Sequence, residues 1–235
     1  MGSYFHYDVG GNDALTRLLL HCDGTNGSTS FPDSSVGGHT VTAVGAAAVS
    51  TSQSVFGGAS AILGAGGNYL SVADSADWTL GANNFTFDFR TRHSSIPSGG
   101  SAGTTNTVFF FQEDAAINRY LCGLANDGSV FFVAQTAPAT LVASYQSANL
   151  NLSINTQYHW AIIRNGANLL ISLDGVLQSL SVLTPIGTLP NVGAPLIFGA
   201  QNVSLIGPAF MDEIRVSPTT ARWTADFAPP VEPYG

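Results

Sequence analysis

The 235-residue chain contains no lysine, and all seven of its basic residues are arginine. Fifteen acidic residues give a formal net charge of -8, and only 9% of the residues are charged, against about 25% in an ordinary soluble domain. Nucleic-acid binding requires a basic surface that neutralises phosphates, and this sequence has no basic stripe. The composition therefore excludes nucleic acid as a ligand and requires a surface built from Ser, Thr, Asn and Gly.

Long apolar runs and cysteines are also scarce. No run approaches the ~20 apolar residues of a membrane-spanning helix, and the N-terminus lacks a basic segment followed by an apolar one. We therefore expect no membrane partner and no signal peptide. The two cysteines, Cys22 and Cys122, fall in strand-like segments. Because two cysteines make no disulfide framework, we expect two buried thiols rather than a bridge.

Helical periodicity is missing as well, apart from a short helical turn predicted after Pro218. Apolar residues make up 45% of the chain, and they recur with period two in short runs separated by turn residues. Phe85, Phe87 and Phe89, for example, alternate with polar side chains. This pattern predicts roughly a dozen strands in one all-β sandwich or barrel. We place the strands near residues 15–22, 40–49, 59–63, 68–72, 84–91, 107–112, 118–124, 129–134, 140–145, 195–199 and 209–216.

The central stretch, residues 158–180, predicts a three-stranded meander. Asn165-Gly166 and Asp174-Gly175 favour type I′ hairpin turns, which need positive φ at both central residues. Its inward positions and those of the phenylalanine strand define the expected core. The core residues predicted in this way are Phe85, Phe87, Phe89, Trp160, Ile162, Ile171 and Leu173.

The chain shows no linker, repeat or break in composition, so we predict a single domain over residues 14–235. Residues 1–13 precede the first strand and form a predicted arm. Tyr4, Phe5 and Tyr7 in this arm are expected to dock on a partner subunit; the alternative is that they fold back on their own domain. Rings of this size are unfavourable in water, each worth about 1.5–3 kcal/mol when buried.

Several segments, in this order along the chain, resemble the laminin G-like, concanavalin A-like lectin/glucanase superfamily. That resemblance implies a two-sheet antiparallel jelly-roll sandwich, and the closing segment is similar to one common in members from phage and bacterial surface proteins. The segments that carry the resemblance are residues 18–24, 31–35, 56–60, 68–72, 84–89, 158–161, 173–176, 210–216 and 221–230.

Catalysis of glycoside hydrolysis requires two carboxylates that face one sugar linkage. The chain has only three glutamates, at positions 113, 213 and 232, and no Glu-x-Asp sequence. We therefore predict that the protein is not an enzyme.

Asp23 and Asp212 are the candidate ligands for a structural calcium ion, because the last strand of similar folds lies beside the first. In the alternative, Asp212 or Glu213 pairs with Arg215 or accepts hydrogen bonds from loop amides. No other cofactor is indicated. Trp78 and Trp223 are candidate sugar platforms, but core packing is the preferred interpretation of both.

We interpret the chain as a non-enzymatic structural module of a phage virion. A capsid decoration (cement) protein and a tail or fibre component are the concrete forms of this hypothesis. Its partners would be virion shell or tail proteins, or symmetry mates. The alternative is a lectin-like carbohydrate-binding adhesion module that binds a glycan at the cell surface or elsewhere outside the cell. A glycosidase is the third and least favoured alternative.

Overall fold

The computed structural model describes residues 11–64, 67–96, 105–199 and 207–235. These residues form sixteen β-strands and one 3-10 turn, Ala76–Trp78. No helix within the described ranges is long and apolar enough to span a membrane. The strands are β1 (Leu18–Leu20), β2 (Val41–Val44), β3 (Ala48–Ser50), β4 (Ser60–Ile62), β5 (Tyr69–Val72), β6 (Phe85–Arg92), β7 (Thr105–Glu113), β8 (Arg119–Ala125), β9 (Val130–Thr136), β10 (Thr140–Ser147), β11 (Gln157–Asn165), β12 (Asn168–Leu173), β13 (Val176–Leu177), β14 (Leu180–Thr184), β15 (Leu196–Gly199) and β16 (Phe210–Ser217).

The strands form two antiparallel sheets of eight strands each. The first sheet has the order β13-β12-β11-β6-β16-β4-β3, and β1 also pairs with β16. The second has the order β14-β10-β9-β8-β7-β15-β5-β2. The predicted all-β jelly-roll sandwich is therefore confirmed. It has more strands than expected, partly because the predicted strand at 40–49 turns at Gly45 (φ 69°) and divides between the two sheets.

The core lies between the sheets and is rich in aromatic rings. Phe87 of the first sheet stacks on Phe110 of the second, with ring centroids 4.4 Å apart, and Trp160 packs on Phe109 at 5.0 Å. Offset contacts of this kind add to the free energy gained by burying the rings. Six of the seven predicted core residues are fully buried, whereas Leu173, at the end of β12, is half-buried.

The two central turns differ from each other. Asp174 and Gly175 both have positive φ (48° and 83°), which is the predicted type I′ pattern. In the other hairpin Asn165 pairs with Asn168, so the central residues are Gly166 and Ala167. Gly166 has φ 61°. A glycine with positive φ at the first central position is typical of a type II′ turn, so the predicted turn type was wrong here.

The structure also tests three smaller predictions. Cys22 and Cys122 are buried and free, as expected. Trp78 and Trp223 are buried, which confirms their assignment to packing rather than to an exposed platform. The helical turn predicted after Pro218 was wrong, because residues 218–223 form a turn and irregular chain. From there the chain continues across the outer face of the first sheet.

Candidate functional site

The outer face of the first sheet is covered by residues 218–235, which we name the closing strap. Trp223 and Phe227 of the strap stack with ring centroids 4.2 Å apart and pack on the small patch made by Ala161 and Ile163 of β11. The Phe227 N–H donates a 2.8 Å hydrogen bond to the Gly175 carbonyl in the second central turn. The strap is thus fixed to both the sheet and a hairpin.

A buried ion pair lies under the strap. Arg215 Nε donates to both carboxylate oxygens of Asp88, at 2.9 and 3.2 Å, and both side chains are fully buried. The Tyr234 hydroxyl donates to Asp88 at 2.6 Å, and its ring lies 3.7 Å from the Arg215 guanidinium. Burial lowers the pKa of Arg215, but the charges of Asp88, Tyr234 and Asp13 and the hydrogen bond to Asp88 together outweigh burial, so the pKa is raised. These groups therefore hold the strap in place rather than face solvent.

His159 is buried between the sheet and the strap. Its ring meets Trp223 and Phe227 edge-on, at 5.9 and 5.8 Å between centroids. Neither ring nitrogen has a hydrogen-bond partner among the described residues. Burial lowers the pKa of His159 to about 3, so the ring is neutral at pH 7. With the strap in place, the His159 ring is not accessible to a substrate or ligand from solvent.

Of the two predicted calcium ligands, Asp212 lies on β16 between its pairings with β4 and β1, and Asp23 follows β1, which pairs with β16 as expected. A bulge between Asp212 and Arg215 interrupts the pairing of β16 with β6, and Glu213 has φ 47° there. Asp212 accepts hydrogen bonds from the Val55 and Glu213 N–H groups, at 2.7 and 2.9 Å. The alternative interpretation, in which Asp212 binds loop amides, therefore matches the observed contacts.

Asp23 contacts the same loop between β3 and β4. A Cβ at Gly57 would lie 1.7 Å from Asp23 Oδ2, so only glycine fits there. Glu213 accepts a 2.8 Å hydrogen bond from His21 Nδ1. In the described part of the chain, no group of three or more His, Cys, Asp or Glu side chains is placed to hold a metal ion. The calcium site at Asp23 and Asp212 stays a prediction.

The outer face of the second sheet carries a different surface, which we name the apolar row. Ile197, Phe111, Leu121 and Val133 stand directly opposite one another across β15, β7, β8 and β9. Ile197 is buried, whereas the other three keep part of their surface in solvent. Opposed side chains on adjacent strands lie about 5 Å apart, so the row forms one continuous apolar strip.

A polar row runs beside the apolar row on the same face. Glu113, Arg119 and Gln135 stand opposite one another on β7, β8 and β9. Arg119 Nη1 lies 3.1 Å from Glu113 Oε2, and Nη2 donates to Gln135 Oε1 at 2.9 Å. Arg119 and Glu113 remain partly exposed. The face therefore places the partly exposed Phe111 ring beside fixed guanidinium, carboxylate and amide groups.

Sequence reasoning did not single out this face. Residues 109–111 are three consecutive phenylalanines, which gives no period-two signal. A register shift between Val108 and Phe110 turns both Phe109 and Phe110 inward and leaves Phe111 on the outer face. The position of such a bulge depends on the pairing partner, which local sequence does not encode.

A recess of about 360 Å³ opens at one side of the sandwich, between β12 of the first sheet and β14 of the second. Its walls are mostly apolar, with a tyrosine and two amide side chains among them. The lining residues are Tyr145, Ala167, Asn168, Leu169, Leu170, Gln178, Leu180, Val182 and Pro185.

The predicted docking residues Tyr4, Phe5 and Tyr7 lie outside the described residues. The last part of the predicted arm is described, and it contacts the domain. The Asn12 N–H donates to the Gly235 carbonyl at 2.6 Å, and Asp13 pairs with Arg222 at 2.9 Å. Arg222 holds the pKa of Asp13 down at about 2. The docking hypothesis for the three aromatic residues stays a prediction.

No protein-family model and no curated protein matches this chain. Solved structures do match in fold. One is the receptor-binding domain of botulinum neurotoxin C/D mosaic serotype, with a TM-score of 0.64 and 14% identity over 88% of this chain. Another is the serotype D ligand-binding domain in complex with N-acetylneuraminic acid, with a TM-score of 0.62 and 13% identity over 90%. This chain spans 49% of each of these two structures.

A third match is similar to this chain in length. It is domain 4 of AbnA, a GH43 extracellular arabinanase from Geobacillus stearothermophilus, in complex with arabinotriose. The match has a TM-score of 0.55 and 15% identity, and it covers 86% of this chain and 92% of that one. At such low identity these likenesses show the fold alone: a two-sheet jelly-roll sandwich shared with these three structures.

Proposed function

We propose that the protein is a non-catalytic carbohydrate-binding module that acts outside the cell, and that its sugar lies on the apolar row. The single observation that carries the proposal is the arrangement of Phe111 beside the Glu113, Arg119 and Gln135 row. One face of a sugar ring is rich in C–H groups and packs on an aromatic ring. Its hydroxyls then need donors and acceptors at the side, and binding sites combine these two elements.

The comparisons support this proposal over a virion role. Two of the similar structures hold a sugar, N-acetylneuraminic acid in one and arabinotriose in the other. None of the three matches reported above is a virion component, so the interpretation of the chain as a phage virion module gains no support from them. The lectin-like alternative is the one we adopt, and a phage capsid or tail location remains a prediction without further evidence.

The carboxylates also support a non-catalytic role. Glu113 is held by Arg119, and Glu213 is buried and bonded to His21 and to the Tyr234 N–H. Asp212 is buried under the loop amide of Val55. A glycosidase needs two such groups facing one exposed linkage, and these three are already engaged in contacts within the fold.

The test is a titration of the purified protein with arabinotriose, N-acetylneuraminic acid and a wider glycan panel, followed by calorimetry and by NMR. Phe111→Leu keeps an apolar side chain but removes the ring face, and Arg119→Gln removes the charged donors. Each change is expected to weaken binding of the recognised sugar at least tenfold, which is about 1.4 kcal/mol. Arg17→Gln is the matched control, because this partly exposed arginine directly precedes β1 of the other sheet, and it should bind like the wild type.

Absence of binding to every glycan at millimolar concentration would refute the proposal. So would binding that both row variants leave unchanged, because the sugar would then lie elsewhere. Sugar hydrolysis during the titration would contradict the non-catalytic assignment.

A further inference from the structure

The charges at one end of the polar row are unequal in sign. Within the described strands of the second sheet, Arg119 is the one basic residue and Glu113 the one acidic residue. Two further carboxyl groups stand at the same end. Asp114 directly follows Glu113, and Asp74 accepts a 3.4 Å hydrogen bond from Gln112. The described residues therefore place three carboxyl groups around one guanidinium.

Arg119 already has partners within the fold. Its Nη1 donates to Glu113 at 3.1 Å, and its Nε and Nη2 both donate to Gln135 Oε1, at 3.2 and 2.9 Å. Each guanidinium nitrogen thus has an acceptor, and the positive charge lies beside the Glu113 carboxylate. A ligand carboxylate is bound most strongly by two parallel N–H groups of an arginine. Here it would compete with Glu113 for the same positive charge.

We infer that this face selects neutral sugars over acidic sugars and that Glu113 determines the selection; the inference rests on the proposed function. A sugar hydroxyl is both a donor and an acceptor, so it can donate to the exposed Glu113 carboxylate and accept from Arg119. An acidic sugar brings a carboxylate, which only accepts, next to three carboxyl groups. Like charges brought together in this way reject a wrong ligand.

The aromatic ring of the site does not discriminate between the two kinds of sugar. Phe111 packs on the C–H face of a sugar ring, and that face is the same whether or not the sugar carries a carboxylate. The difference in affinity therefore comes from the charges beside the ring. The net charge of -8 on the whole chain acts in the same direction, because it repels an anionic ligand at longer range.

The test compares acidic sugars with their uncharged methyl esters, which keep the sugar ring and its hydroxyls. N-acetylneuraminic, glucuronic and galacturonic acids and their esters are titrated into the wild-type protein by calorimetry and NMR, together with arabinotriose. Each ester that binds should bind at least tenfold more tightly than its acid. Binding of arabinotriose with rejection of all three acids would agree with this result. An acid that binds within about threefold of its ester would overturn the inference, although the proposed function would stand.

A pair of variants tests the role of Glu113. Glu113→Gln replaces the carboxylate by an amide of the same length and leaves the Arg119 charge unpaired by it, so the ratio of acid to ester affinity should rise at least tenfold. Glu232→Gln, the same change at an exposed position of the closing strap, alters the net charge equally and should leave that ratio unchanged. A ratio that Glu113→Gln leaves unchanged, or that both variants raise equally, would contradict the role of Glu113.

A second measurement covers the case in which Glu113→Gln fails to fold. The Debye length falls from about 8 Å at 0.15 M salt to about 3 Å at 1 M. The wild-type preference for the ester should therefore shrink at least threefold between these two salt concentrations. A preference that salt leaves unchanged would mean that shape rather than charge discriminates the sugars, which would overturn the inference. Absence of binding to every neutral and acidic sugar is a separate outcome, because it refutes the proposed function itself.

Discussion

At the scale of single residues, the surroundings of the Asp212 carboxyl shift its pKa strongly. The carboxyl is buried, and burial raises its pKa from the ordinary value of 3.8 to about 7. The charges of Glu213 and Asp23 act in the same direction, whereas the hydrogen bonds from the Val55 and Glu213 N–H groups act against them. The folded protein therefore holds a proton at this carboxyl over a pH range in which an unfolded chain has lost it.

This difference predicts that stability falls as pH rises. Between pH 4 and 7 the folded state binds more protons at Asp212 than the unfolded state, so the free energy of unfolding decreases through that window. Three pKa units correspond to at most about 4 kcal/mol. We expect the free energy of unfolding of Asp212→Asn, relative to wild type, to be ~1–4 kcal/mol higher at pH 7 than at pH 4.5. Urea unfolding at the two pH values measures this difference.

The control for this prediction is Glu232→Gln at the exposed C-terminal end, which should keep the wild-type slope. His21 must be considered as well, because its hydrogen bond to Glu213 raises its pKa. The stability that this histidine contributes is lost as pH rises above that pKa, so it acts in the same direction near neutral pH. Parallel slopes for wild type and Asp212→Asn would show that Asp212 is already ionised at acidic pH.

At the scale of elements, the two glycine turns of the central meander provide a matched pair. A Cβ at Gly175 would lie 1.9 Å from the Phe227 carbonyl oxygen of the strap, whereas a Cβ at Gly166 meets no atom within 4 Å. Both residues have positive φ, so each pays about 1–2 kcal/mol for any L side chain. A side chain at Gly175 would in addition require the strap to move, whereas one at Gly166 would not.

We therefore expect Gly166→Ala to cost about 1 kcal/mol and Gly175→Ala at least ~2 kcal/mol more, because the backbone clash lies at a fixed point of the strap. Chemical denaturation of the two variants side by side measures the difference. Equal costs would mean that the strap leaves the turn without penalty, and that its contact at Phe227 contributes little to stability.

The meander also shows how far local sequence reaches. Asp174-Gly175 predicted its turn because positive φ is a local requirement, and the Phe85 strand predicted its face because period two is local as well. The Asn165-Gly166 turn was misassigned because pairing of Asn165 with Asn168 shifts the central residues by one. A register of this kind is decided by the whole hairpin and its neighbours.

The closing strap and the apolar row could not be predicted from local sequence patterns. Trp223 and Phe227 stand in an irregular, proline-rich segment, and their burial depends on the small Ala161 beneath them. The pairing of β1 with β16 was predicted correctly, but only through the family resemblance. The apolar row depends on the bulge in β7, and the strap on contacts between residues far apart in the chain. Neither has a sequence period that marks it.

At the scale of the whole molecule, one core joins the two sheets. Its buried members run from Leu18 to Val216 and come from both layers, so, among the described residues, neither sheet buries its inner apolar face without the other. We expect one cooperative unfolding transition, as for most single domains. Among the described residues, the core cluster begins at Leu18.

The last prediction concerns the deletion of residues 2–9 from the predicted arm. The chain that lacks residues 2–9 keeps Gly11, whose carbonyl bonds to Arg215 and Thr16, and keeps the bond from Asn12 to Gly235. Its Tm, measured at a protein concentration of about 1 μM, should lie within ~2 °C of the wild-type Tm. A change of 1 kcal/mol in the free energy of unfolding moves the Tm of a domain this large by about 2–4 °C, so this limit corresponds to a loss of less than about 1 kcal/mol. Calorimetry with and without the deletion makes the measurement.

Protein concentration separates the two explanations of any difference in Tm. If the segment docks on a second copy, it stabilises wild type by mass action, so the Tm gap between the two chains should widen as concentration rises. A gap of more than 5 °C, roughly, that is already present at low concentration and does not change with dilution would instead place Tyr4, Phe5 and Tyr7 on their own domain. That result would contradict the docking hypothesis, because a segment packed on its own domain is not free to reach a neighbouring chain.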